Sequence, residues 1–198
     1  MQRDTTYVIT SMFAVLVISF DARGELCSEQ VWNQTISSQQ RVDDWYNRHA
    51  ESFNNLLLIY KQHIFLHKEF TQDELYALWH PSKIAFNEKL ENHILATQNM
   101  QLSLTKEHLE LEKGYAAVTQ QEQQWRSLNE HCAQSGSKIN AHSSMRYVVS
   151  NQSLKTDIET LISKIDTLKM IYKQEEMVLL SSRDQDAPIS VPVERIDH

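Results

Sequence analysis

The chain has 198 residues, 41% apolar and 23% charged, with three glycines, three prolines and a formal net charge of −7. That size suits one domain with a real core, and so few turn residues exclude a sandwich or barrel, which needs a turn about every ten residues. The acidic balance, without any run of Lys and Arg, excludes the footprint of a nucleic-acid binder and disfavours an anionic membrane surface.

Long helices with few connections are what remains. The expected fold class is all-α: an elongated antiparallel helical bundle or coiled coil of three long helices plus a short helix, with a flexible C-terminal tail. The expected division is a signal peptide over 1–24, a helical bundle domain over 25–180 and a disordered tail over 181–198.

The chain opens on Arg3 and an apolar run from Tyr7 to Phe20, YVITSMFAVLVISF. The run falls short of the roughly 20 residues that span a bilayer as a helix. Ala22 and Gly24 stand two apart, as a signal peptidase requires, so cleavage is expected after Gly24. Asp4 and Asp21 flank the run and support the competing reading, a buried core helix or the amino-terminal segment of an intracellular protein. Export implies a secreted or periplasmic location, with no membrane insertion of the mature chain.

The first long segment covers roughly Ser28–Phe70. It begins amphipathic, with Val42, Trp45, Tyr46, His49, Phe53 and Leu56, and becomes apolar nearly all round from Leu56 to Leu66. Such an end calls for more than one neighbour, which makes Leu57, Ile64 and Phe65 interface candidates. Next, Thr71-Gln72-Asp73-Glu74 is a capping box that opens a short helix to His80, able to fold back as a lid through Leu75, Leu78 and Trp79.

Pro81 is expected at the first position of the second long segment, Pro81–Cys132. There Leu90, Leu104, Leu111, Val118, Trp125 and Cys132 recur at multiples of seven, with Thr97 in the gap. A second row, Leu95, Leu102, Leu109 and Ala116, runs about 150° around the helix, which places this helix in the middle of the bundle. Gly114 interrupts the segment without breaking its phase, so a continuous helix is expected. Ala133–Ser137, with Gly136, reads as a loop.

The third segment, Lys138–Leu180, carries the cleanest seam: Tyr147, Leu154, Ile158, Leu161, Ile165, Leu168, Tyr172 and Leu179. Asn151 and Glu175 are its polar interruptions. From Ser181 the chain turns polar and contains Pro188 and Pro192.

Cys27 and Cys132 are the only cysteines. Antiparallel first and second helices put both at one end of the rod, and export favours their disulfide. His63 and His67, spaced i, i+4, could meet a metal ion from one helical face, but no adjacent Glu makes a zinc-protease motif and no Glu-x-x-His occurs. Two histidines bordering a packed seam are the blander reading, so no metal and no cofactor is expected. Asn33 and Asn151 each begin an N-glycosylation pattern, and the seam position of Asn151 argues against a glycan there. Trp32, Trp45, Trp79 and Trp125 are core or interface anchors. No nucleophile, phosphate loop or catalytic triad pattern is present, so no enzyme is expected.

The function expected is that of an exported, non-enzymatic helical interaction protein of scaffold or adaptor type, acting on a protein partner or as a homo-oligomer. The alternative is a carrier or sensor module that holds a small apolar ligand between helices.

Overall fold

The computed structural model describes residues 27–184, so the expected signal peptide and most of the expected tail lie outside the described residues. Five helices follow in order: α1 Glu29–Gln62, α2 Leu66–Glu69, α3 Gln72–Leu78, α4 Ile84–Gln134 and α5 Lys138–Arg183. No strand occurs among the described residues. The chain is an all-α bundle in which α4 and α5 form a long antiparallel pair. At 1.5 Å per residue α4 runs on the order of 75 Å. Among the described residues, no helix is long and apolar enough to cross a membrane.

Three boundaries differ from the sequence reading. α1 ends at Gln62 and not at Phe70, because His63 takes an extended conformation and the chain turns before the single turn of α2. Pro81 lies in the turn after α3, and α4 starts at Ile84 with Lys83 as its cap residue. α5 continues through Ser181 and Ser182 to Arg183, so the tail does not begin at 181. Those two serines stay helical with their hydroxyls bonded back onto Val178 O, a local satisfaction that polar composition does not reveal.

Local signals account for most ends. The Ser28 hydroxyl accepts from Val31 N at the start of α1. At α3 the capping box is complete, with Thr71 Oγ1 accepting from Glu74 N and Glu74 accepting from Thr71 N. Gly136 supplies the left-handed residue, φ 81°, that reverses the chain between α4 and α5.

Most of the α5 seam is buried as its periodicity requires: Ile158, Leu161, Ile165, Leu168, Tyr172 and Leu179 are core, and Tyr147 and Leu154 are partly buried. So are Leu90, Thr97, Leu104, Leu111, Val118, Trp125 and Cys132 of α4. The second α4 row is a correction. Leu95, Leu102 and Leu109 are exposed, Leu102 by 68%, and face neither neighbour. α1 instead docks on a row of mixed chemistry, His93, Met100, Glu107, Gly114, Gln121 and Leu128. His63 stacks near His93, His49 and Ser52 bond Glu107, Trp45 covers Gly114, and Gln121 donates to Thr35 O. Met100 packs in one cluster with Leu56 and Leu57, and Leu128 in another with Val31 and Trp32. These pairs march in opposite directions along the two chains, so α1 runs antiparallel to α4. α4 thus contacts both long neighbours, as expected, but through a face the apolar pattern does not mark.

At the Cys27 end of this alignment the two cysteines are bonded, with Cα atoms 5.1 Å apart and a sequence separation of 105. Trp125 is fully buried beside them, edge-on to Trp32 and stacked on Tyr147. α3 folds back, and Leu75 joins Leu90, Ile94 and Leu179 in a separate cluster with Leu78 and Trp79 at its edge.

Candidate functional site

Both polar interruptions of the α5 seam are fully buried, and each is the centre of a hydrogen-bonded cluster. Asn151 lies nearer the disulfide. Its Nδ2 donates to Gln39 Oε1 (2.7 Å) and Tyr147 O (2.8 Å), and Gln39 Oε1 also accepts from Trp125 Nε1 (2.8 Å). Gln39 Nε2 donates to Asp43 Oδ1 (2.9 Å) and Asn151 Oδ1 (3.3 Å). This cluster leaves no buried nitrogen or oxygen of these side chains open and reads as a register pin for three helices. It also leaves no room for a glycan at Asn151, whereas Asn33 is exposed on α1.

Glu175 forms the second cluster, at the far end of α1. Its carboxylate, 0% exposed, accepts from Leu66 N (2.8 Å), His67 N (3.1 Å), the His67 ring and His93 Nε2 (2.7 Å). Phe65 gives α2 no side-chain cap, so Glu175 performs that duty from another helix. Burial by itself would push the carboxyl up. The His93 and His67 rings and the His67 and Leu66 amides overcome it and hold the group down at about 2. An ionised carboxylate only accepts, so Nδ1 of His67 and Nε2 of His93 carry the protons in these bonds.

His63 completes the cluster. Its ring lies 4.7 Å from that of His93 and 5.1 Å from that of Tyr172, centroid to centroid. Nε2 of His63 is buried and has no hydrogen-bond partner among the described residues. Burial lowers the pKa of this imidazole, and His93 lowers it further, against the pull of Glu175. The Tyr172 hydroxyl is likewise buried without a partner, and burial, then Tyr60, pushes it up to about 12.

The sequence singled out His63 and His67 for sharing one helical face. They share none, because α1 has ended before His63 and His67 belongs to α2. The turn between them still brings both onto Glu175. His93 carries only a faint signal in the sequence: it opens the seven-spaced row on which α1 docks. Of the interface candidates, Ile64 is 66% exposed, Leu57 is partly buried against the core, and Phe65 is core at 7%. Phe65 is therefore a packing residue, its ring 5.2 Å from that of Tyr172. Leu58 and Ile59 are exposed at this end as well, and α3 does not cover them. An open groove between α1 and α4, about 450 Å³, is lined by Val42 and Trp45 but also by Arg41, Lys113 and Gln121.

The chain matches no family model, no curated protein and no solved structure.

Proposed function

We propose that the chain is an exported, non-enzymatic interaction protein that binds a helical partner along the outer face of α4. The observation that carries this reading is the exposed row Leu95, Leu102 and Leu109, spaced by seven on a helix flank that neither α1 nor α5 covers. Seven-residue spacing of leucines is the pattern that a second helix recognises by inserting side chains between them. The disulfide suits an oxidising compartment, and no described helix can cross a membrane. The carrier reading gains little, since the α1–α4 groove is open and largely polar at its rim.

Site-specific photo-crosslinking tests the proposal. A crosslinker at Leu102, in cells that express the chain, should trap one dominant partner, either a second copy or another helical protein. The same probe at exposed Thr160 of α5 should trap far less, and Leu109→Glu should abolish the Leu102 product. Equal trapping at the two positions, or a product indifferent to Leu109→Glu, overturns the interaction reading.

A further inference from the structure

We propose that His63, His93 and Glu175 bind one divalent transition-metal ion of the zinc class, which clamps the α1–α2 turn to α4 and α5. The three residues come from three separate segments, and one ligand atom from each lies within 4.8 Å of the other two. Two imidazoles and one carboxylate are the donor set that suits borderline cations such as Zn2+, and tetrahedral coordination places neighbouring ligand atoms about 3.4 Å apart. His93 Nε2 and the Glu175 oxygen, now 2.7 Å apart, must therefore open slightly while His63 draws in, and His63 can supply that movement. It sits in the extended three-residue link between α1 and α2, not inside a helix.

Two further observations support the ion. Nε2 of His63 is a buried imidazole nitrogen with no partner among the described residues, beside the buried carboxylate of Glu175. Glu175 is a fully buried carboxylate whose ion-pair partners among the described residues are His67 and His93, with no Lys or Arg. A divalent cation supplies the missing counter-charge. His67 and the Leu66 and His67 amides stay on the carboxylate and orient it, the usual arrangement around a metal-bound carboxylate. His93 exchanges its Nε2–H···O bond to Glu175 for a bond from Nε2 to the metal, and the proton moves to Nδ1.

The test uses the full chain, oxidised at its cysteines, tag-free and stripped with a chelator. Titration with Zn2+ should show one ion bound per chain and a rise of several degrees in melting temperature. His63→Gln removes a ligand that supports no other contact by hydrogen bond. It should melt like the wild type in chelator, lose the zinc-dependent rise and bind zinc at least about tenfold more weakly. His142→Gln, at an exposed position on α5, should behave as wild type. Ring-nitrogen NMR of the wild type provides a reading independent of any variant, and zinc should shift His63 and His93 ahead of the other histidines. Absence of stoichiometric binding, a zinc response that survives His63→Gln, or shifts confined to surface histidines would each overturn the site.

Discussion

The indole of Trp45 occupies the space that a side chain at position 114 would need. A Cβ on Gly114 would lie 1.9 Å from Trp45 Cζ2 and 2.2 Å from Cη2. Glycine is retained inside a 51-residue helix because α1 approaches there, not because the helix ends. Gly114→Ala gains about 1 kcal/mol of helix propensity. The displaced indole should cost more, giving a net loss of about 1–3 kcal/mol. In a Trp45→Ala background the same substitution should become neutral or stabilising. Urea melts of the four variants measure the coupling, and equal effects in both backgrounds would show that the contact is unimportant.

Acid should reveal Glu175. Its carboxyl is held at about 2 in the fold, against 4.5 for a free glutamate. A depressed carboxyl contributes stability that is fully present above about 4.5 and is lost as pH falls from there towards 2. The contribution is on the order of 3 kcal/mol at neutral pH. Glu175→Gln should therefore be destabilised at pH 5 and should lose less on going to pH 3 than the wild type does. Denaturant midpoints at the two pH values decide it, and parallel losses in both proteins would contradict the assignment.

Asn151→Ala should cost about 1–3 kcal/mol, since it removes two donated bonds and leaves the Oε1 of Gln39 with one partner instead of two. Asn151→Leu should recover part of the stability but relax the pairing of α1 with α5. Spin-label distances between α1 and α5 should broaden in that variant. A distribution as narrow as in the wild type would mean that apolar packing alone sets the register.

The seam of α5 and the first row of α4 were legible because apolar heptads sustained over many turns bury wherever the partner lies. The docking of α1 was not, since its face on α4 mixes His93, Glu107, Gly114 and Gln121 with Met100 and Leu128, and the more apolar row of Leu95, Leu102 and Leu109 drew the eye instead. The disulfide followed from antiparallel order together with the expectation of export. The cluster around Glu175 was half visible: the residue interrupts the seam, and His63 and His67 are conspicuous. Nothing local could join them, because Leu66 and Glu175 meet across 109 positions of chain.

Removal of the disulfide should loosen one end only. In the chain-entropy model the bridge is worth up to about 4–5 kcal/mol for a loop of this size. Cys27→Ser with Cys132→Ser should lower the melting temperature yet leave far-UV helicity intact. Amide exchange should rise from Glu29 to about Gln39 and stay slow near His63, where Glu175 holds the turn. Uniformly faster exchange along all of α1 would contradict a locally acting bridge.

The reversal at Gly136 also sets an order of events in time. α4 and α5 are sequence neighbours joined by a three-residue link, so their pairing can start beside Gly136 and zip outward through contacts of steadily growing separation. α1 has no such start, and every contact it makes with α4 or α5 must close a long loop before any reward arrives. The hairpin of α4 and α5 is then the template, α1 is the late arrival, and oxidation of Cys27 with Cys132 is the step that locks it in. In refolding from the reduced, unfolded chain, alkylation at early times should find both thiols free while most of the helical signal has returned. Reversed timing, with the bridge ahead of the helices, would mean that α1 and not the hairpin leads.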